Sequence, residues 1–317
     1  MSAIITHWTD ENTKDYGVQP LVAQHSLHEG DRFSDAGLAS LLDRYPRDKL
    51  GIYTMGKDPE NWRTFVGGDA AELSGEEIVQ AVKTGRIWLN LRAVNEDFDE
   101  YAELSDAMFE EVKTCTGQAT FKEDVGLLIS SPNAQVFYHL DIPLVLLWQL
   151  RGVKKVWIYP NTAEFAPDEN IERIVLKETE EEFDYKPEFD AHAFTVDLEP
   201  GMFASWPQWA PHRIENKDMM NVSLSVEYMT LPAILRANML YTNGYMRRRF
   251  GANPDRQNAS GPALWMKAAL ARALKLTNSA KEFKKDPRSH FKIDLSASDC
   301  VQFYDKPQEP AVRQLAS

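Results

Sequence analysis

The segment FYHLDIPLVLLWQLRGVKKVWIYP, residues 137–160, sets His139 and Asp141 one residue apart in an apolar run and follows them with Lys154 and Lys155. A buried charge is costly unless it is paired or bound to a metal, so these residues need partners. On an extended strand residues i and i+2 project from one face. His139 and Asp141 then point together, while Tyr138 and Leu140 point away. Imidazole and carboxylate both bind divalent first-row metals. Two histidines with one carboxylate form the facial set of non-haem Fe(II) oxygenases, with three coordination positions left open. The third ligand has a candidate in EPGMFASWPQWAPHRIEN. Pro200-Gly201 reads as a turn, MFASW as a strand and PQWAP as a rigid aromatic loop, and His212 stands at the start of the strand that follows.

The His-x-Asp pair alone carries little weight. With 7 histidines and 48 acidic residues in 317 positions, about one such pair arises by chance, and one is present. Context decides. A tight turn at Arg151-Gly152 is expected to return VKKVWIY antiparallel beside the metal strand, placing Lys154 on a face with Val156 and Ile158 and Lys155 with Trp157 and Tyr159. A lysine on an apolar face needs an anion nearby, unless its head reaches solvent. The distal carboxylate of a metal-bound dicarboxylate would serve. In NVSLSVEYM, Val222, Leu224, Val226 and Tyr228 fill one face and Asn221, Ser223, Ser225 and Glu227 the other. That polar face either lines a ligand pocket or meets water. Trp206, Trp209 and Arg213, beside the third ligand, either shape a substrate mouth or pack its rim.

The elements that must position these residues follow from patterning. FSDAGLASLLDRYP spaces Leu38, Leu41, Leu42 and Tyr45 as a helix that Pro46 stops. SGEEIVQAVKTG opens with Ser74 and Glu77 in capping-box spacing and closes on Gly85. RIWLNLRAV alternates Ile87, Leu89 and Leu91 against Trp88, Asn90 and Arg92, the period of a strand. A further helix is expected over Tyr101, Leu104, Met108 and Val112. From Gly126 to Tyr228 short strands are separated by Pro and Gly, which indicates an antiparallel barrel or jelly roll. The expected organisation is a mixed N-terminal elaboration over 1–125, packed on a β core over 126–230, then a helical region over 231–317. Within the core an insert at 161–193 carries the acidic run KETEEEFD, a solvated face or a lid. The C-terminal helices either pack on the barrel or form a homodimer.

Composition narrows the classes. A chain with 43% hydrophobic residues can bury a large core, and a net charge of −13 argues against nucleic acid as partner. Two cysteines, Cys115 and Cys300, make no disulfide framework. The start MSAIITHWTDEN lacks the pattern of a signal peptide, and no apolar run approaches the roughly 20 residues of a membrane span. The expectation is a soluble cytoplasmic protein with no membrane partner.

Taken together, HLD, then RGVKKVWIYP, then PGMFASWPQWAPHRIEN resemble the JmjC-like (cupin-like) Fe(II)/2-oxoglutarate-dependent hydroxylases, in the group that includes the asparaginyl hydroxylase of hypoxia-inducible factor. The resemblance covers roughly Ser130 to Tyr228. It implies a double-stranded β-helix with His139, Asp141 and His212 as iron ligands and Lys154 as the partner of the distal carboxylate of 2-oxoglutarate. It also implies O2 as the oxidant and hydroxylation of a protein or peptide side chain or of a small molecule. The chain departs from the family where Val136, Val145 and Glu227 replace a Thr and two Asn that help hold the cosubstrate. Lys154 is then the main anchor, with Asn221 and Ser223 as candidate substitutes. The alternatives are a non-catalytic metal-binding cupin-type sensor or binding protein, a cupin enzyme with a redox-inert metal, and a scaffold.

Overall fold

The computed structural model describes residues 3–70, 72–256, 260–277 and 288–308. The N-terminal part runs β1 (Ile5–His7), α1 (Asp10–Asp15), β2 (Leu21–His25), α2 (Asp35–Arg44), β3 (Gly51–Thr54), β4 (Val66–Asp69), α3 (Gly75–Thr84), β5 (Trp88–Leu91), α4 (Val94–Asp97) and α5 (Asp99–Thr116). Then come β6 (Phe121–Ser130), β7 (Gln135–His139), β8 (Leu144–Arg151), β9 (Lys154–Ile158), α6 (Asp168–Val175), β10 (Phe194–Leu198), β11 (Met202–Ser205), β12 (His212–Asn216) and β13 (Asn221–Met229). The chain closes with α7 (Leu231–Phe250), α8 (Gly261–Thr277), β14 (Ser289–Ile293) and β15 (Val301–Gln308).

Strands β6 to β13 are shared between two sheets in the order β11-β8-β13-β6 and β10-β9-β12-β7, antiparallel throughout. Successive strands cross from one sheet to the other at every step except β9 to β10, which is a double-stranded β-helix. Alternation drives it. In β13, Val222, Leu224, Val226 and Tyr228 join the outer core with α2, α3 and α5, and the intervening residues face the barrel interior. Inside, Leu128, Val145, Leu147, Val156, Ile158 and Ile214 pack between the sheets. Each such side chain contributes about 1.5–3 kcal/mol on burial. The predicted helices form where expected. The capping box of α3 is made by Ser74 and Glu77, and Leu38, Leu41 and Leu42 of α2 are buried.

Three expectations are corrected. First, β9 does not return beside β8 or beside the metal strand. Gly152, at φ +73°, turns the chain out of the large sheet into the small one, and β12 lies between β9 and β7. A Cβ there would stand 2.6 Å from the Met220 carbonyl oxygen, so the corner demands glycine. Second, the N-terminal strands are not a layer packed on the barrel but extend its large sheet at both edges, β5-β3-β4 beside β6 and β2-β1 beside β11. Third, the C-terminal region is not wholly helical. After α8, β14 pairs in parallel with β4 and antiparallel with β15. Helices α7 and α8 pack on one another, with the Thr242 hydroxyl donating to the Lys267 carbonyl at 2.7 Å, and α8 leaves Trp265, Met266 and Leu270 exposed. No helix among the described residues is long and apolar enough to cross a membrane.

Candidate metal centre

His139 ends β7, Asp141 stands in the loop just beyond it, and His212 opens β12. Antiparallel pairing of β12 with β7 sets His212 opposite His139. Their rings lie 4.1 Å apart, centroid to centroid. His212 Nε2 is 3.3 Å from Asp141 Oδ2 and His139 Nε2 is 4.0 Å from Asp141 Oδ1. One donor atom from each residue falls within 4.8 Å of the others, the single such cluster among the described residues. Each histidine holds its Nδ1 against the carbonyl two residues back, Phe137 at 2.7 Å and Ala210 at 3.2 Å. A carbonyl can only accept, so Nδ1 carries the hydrogen and Nε2 presents its lone pair to Asp141 and to a metal. Burial, reinforced by the neighbouring His139, holds the His212 imidazole well below the ordinary histidine value and so neutral. Burial raises the Asp141 carboxyl above its ordinary value. A cation is what this carboxylate lacks.

The triad opens into a cavity of about 460 Å³. Its apolar wall includes Leu128, Val145, Leu147, Trp206 and Ile214, all from the barrel interior. Val136, Val145 and Glu227, the three positions that depart from the family pattern, all line it. Their neighbourhood is therefore as expected, but two of them offer no hydrogen bond. Asn221 and Ser223 do not line the cavity. The Gln149 amide donates to Asn221 Oδ1 at 2.7 Å, and Ser223 donates to Gln149 Oε1 at 2.6 Å, closing the barrel beneath. Ser225, on the same strand face, does line it.

Lys154 lies inside the barrel, 1% exposed, on the face of Val156 and Ile158. It sits level with Asn216, whereas Ile158 sits level with His212, so Lys154 is about 13 Å along the barrel from the histidines. It is not among the residues that line the cavity. Burial alone pushes its ammonium down to about 7, and no hydrogen bond or ion pair satisfies it among the described residues. Lys155 points outward over the Trp157 ring.

Sequence reading missed the contribution of β5 and β3. The polar side of the β5 alternation, Trp88, Asn90 and Arg92, lines the cavity with Tyr53 from β3. The signal was present in the period, but only the sheet order shows that this face continues the barrel wall. Of the aromatic residues near His212, Trp206 lies tilted against its ring at 4.4 Å and lines the cavity. Trp209 packs away with Leu140 and Met239, and Arg213 lies on Trp157 and bonds Asp190. Rim packing is the correct reading for those two.

The acidic insert runs as a strap across the site while keeping Lys177, Glu178, Glu181 and Asp184 exposed to solvent. The backbone of Glu182 pairs with that of His139 in an isolated antiparallel bridge, the Phe183 amide donates to the Tyr138 carbonyl, and Glu180, Glu181 and Glu182 line the cavity. Burial, then the charge of Asp141, pushes Glu227 up to about 8. The strap is anchored through α6. Glu172, fully buried, accepts from Arg247 at 2.9 Å, and Glu178 accepts twice from Arg248 at 2.7 Å. Glu172→Ala removes the buried carboxylate that the half-buried Arg247 and the exposed Arg248 share and is expected to cost about 1–3 kcal/mol in a urea melt. Limited proteolysis should then cut between residues 176 and 186, where the native strap resists. A strap equally resistant in the variant would show that its anchorage lies elsewhere.

No family model matches the chain, and no curated protein matches it. Among solved structures it is similar to Escherichia coli YcfD, at 17% identity over 89% of this chain and 70% of that one, TM-score 0.49. The structure of YcfD, a ribosomal oxygenase, in complex with cobalt and 2-oxoglutarate matches at 17% identity over 87% and 68%, TM-score 0.49. Its complex with cobalt and succinic acid matches at 16% identity over 87% and 68%, TM-score 0.45.

Proposed function

We propose that the chain is a JmjC-like oxygenase dependent on Fe(II) and 2-oxoglutarate. The observation that carries this reading is a pairing inside one barrel. Two imidazoles and a carboxylate converge at the cavity, and a buried lysine without an anion stands deeper along the same interior. A divalent metal answers the first need and a dicarboxylate the second. His139, Asp141 and His212 would hold the metal through Nε2, a carboxylate oxygen and Nε2. Bound iron with 2-oxoglutarate and O2 would supply oxidative decarboxylation to succinate and carbon dioxide, with one oxygen atom inserted into a substrate C–H bond. Lys154 would hold its proton against the distal carboxylate. Val145, Leu147, Trp206 and Ile214 exclude water from the cosubstrate, and the strap closes the outer side.

The grouping with the asparaginyl hydroxylase rests on motif spacing alone. Hydroxylation of a polypeptide side chain is proposed over that of a small molecule because the cavity continues outward. It shares Phe65, Glu180 and Glu182 with a second groove lined by Trp62, Val66 and His290.

The test needs no substrate. Anaerobic protein titrated with Fe(II) and then 2-oxoglutarate is expected to develop the visible iron-to-cosubstrate charge-transfer band, saturating at about one equivalent of each, as one facial triad requires. Iron binding without the band would move the metal-binding cupin without turnover to the front.

A further inference from the structure

Strand β6 carries a glycine in its interior, Gly126, which lines the cavity between Asp124 and Leu128. Its φ is not left-handed, so the backbone does not call for glycine. Neither does space. A Cβ there would stand 3.5 Å from the Ser225 carbonyl oxygen, 3.6 Å from Asn90 Oδ1 and 3.9 Å from the Leu91 carbonyl oxygen, all ordinary contacts. Glycine weakens a strand interior and often marks a place where a ligand comes close. Two polar side chains border this hollow. Ser225 lies beside Gly126 on β13, and Asn90 reaches it from β5. Both line the cavity, both are partly buried, and neither side chain has a hydrogen-bond partner among the described residues. With no bond to hold it, the Asn90 amide can turn its N–H₂ toward a ligand.

The depth of the hollow is fixed by the strand register. Val145 and Glu227 pair at the metal end of the large sheet, where β8 begins shortly after Asp141. Ser225 pairs with Leu147, one inward-facing position deeper, about 7 Å along the strand. Lys154 is deeper still. It sits level with Asn216, whose amide donates to Ser130 Oγ at 2.8 Å, and Ser130 pairs with Asn221. The hollow therefore lies between the triad and the lysine.

On the oxygenase reading, on which this inference rests, a five-carbon dicarboxylate spans that interval. Lys154 meets the charge of its distal carboxylate, but the oxygens left over need donors once they are out of water. Val136 and Val145 provide none. We propose that the Asn90 amide and the Ser225 hydroxyl donate hydrogen bonds to the distal carboxylate of the cosubstrate, and that Gly126 leaves the room it occupies. The donors then come from β13 and from β5, the strand that extends the large sheet, rather than from β7 and β8. Asn90 and Ser225 distinguish a dicarboxylate from a 2-oxo acid with an apolar tail.

The test compares two 2-oxo acids on anaerobic protein loaded with Fe(II). One is 2-oxoglutarate; the other is 2-oxobutyrate, which chelates iron in the same way but has no distal carboxylate. Each Kd is read from the charge-transfer band. Asn90→Ala and Ser225→Ala are each expected to weaken 2-oxoglutarate about tenfold, with the Kd values for 2-oxobutyrate and for Fe(II) unchanged. Asn90→Asp, equal in size, puts a charge where a donor stood and should weaken 2-oxoglutarate further. Gly126→Ala should melt as the native protein does and still lose affinity for 2-oxoglutarate. Equal losses for both acids, or no loss for 2-oxoglutarate, overturn the assignment, while a band in the native protein leaves the oxygenase reading standing. A native protein that binds iron and gives no band with either acid overturns both.

Discussion

Asp141→Ala is expected to fold, to melt at a temperature that no longer responds to metal, and to lose all 2-oxoglutarate turnover. In the native protein a ligand present at a hundred times its Kd stabilises by about 2.7 kcal/mol, so added Fe(II) or Co(II) should raise Tm by several degrees. The variant keeps two imidazoles but loses the only anionic ligand in the cluster, and metal affinity should fall by at least about 10²-fold. Without metal the sign is opposite. Burial raises the Asp141 carboxyl in the folded protein, so between its ordinary value and the raised one the folded state binds more protons than the unfolded state. Stability of the metal-free native protein then falls as pH rises through that window. The alanine variant escapes this loss and should melt at or above the native temperature at pH 7. Scanning calorimetry with and without metal reads both effects. A variant that still gains Tm from metal would remove Asp141 from the ligand set.

Lys154→Met separates the cosubstrate from the fold. Methionine keeps the length of the side chain and removes the ammonium that burial pushes down to about 7. Above pH 7 the unfolded state holds this proton and the folded state releases it, up to the ordinary value near 10.5. The native protein therefore pays its full penalty at and below pH 7, and its stability rises as pH rises from 7 to about 10.5. Lys154→Met should be more stable than the native protein at pH 7, with the gain shrinking toward pH 10.5. Binding moves the other way. Truncating one partner of a buried charge pair costs about 2–5 kcal/mol, so the Kd for 2-oxoglutarate should rise by about two orders of magnitude. At pH 8 the native protein should take up a proton on binding 2-oxoglutarate, seen by calorimetry in buffers of different ionisation enthalpy, and the variant should not. An unchanged Kd would remove Lys154 from the cosubstrate site.

The residues show why some features were legible and others were not. His139, Asp141 and His212 could be picked out because their chemistry admits few neighbours in an apolar segment, and strand period placed Lys154 inside with Val156 and Ile158. Helices α2, α3 and α5 declared themselves through spacing and caps, which are local. The destination of the chain after Gly152 was not local. A glycine turn is equally compatible with a hairpin and with a corner between sheets, and only the packing of both sheets around one interior selects the corner.

The sequence by itself determined the candidate residues, the face that Lys154 shares with Val156 and Ile158, and the alternating pattern of β13, because these depend on periods of two and on the cost of burying charge. The tertiary structure alone decided which faces meet. It brought the polar side of β5 to the cavity, committed Asn221 and Ser223 to Gln149, and folded the acidic insert over His139, Asp141 and His212. A run of glutamates has the same local preference for water wherever it lies. The anchoring of α6 to α7 through Glu172 and Arg247, residues 75 apart in the chain, together with the Glu178–Arg248 pair and the pairing of Glu182 with His139, holds that run against the site.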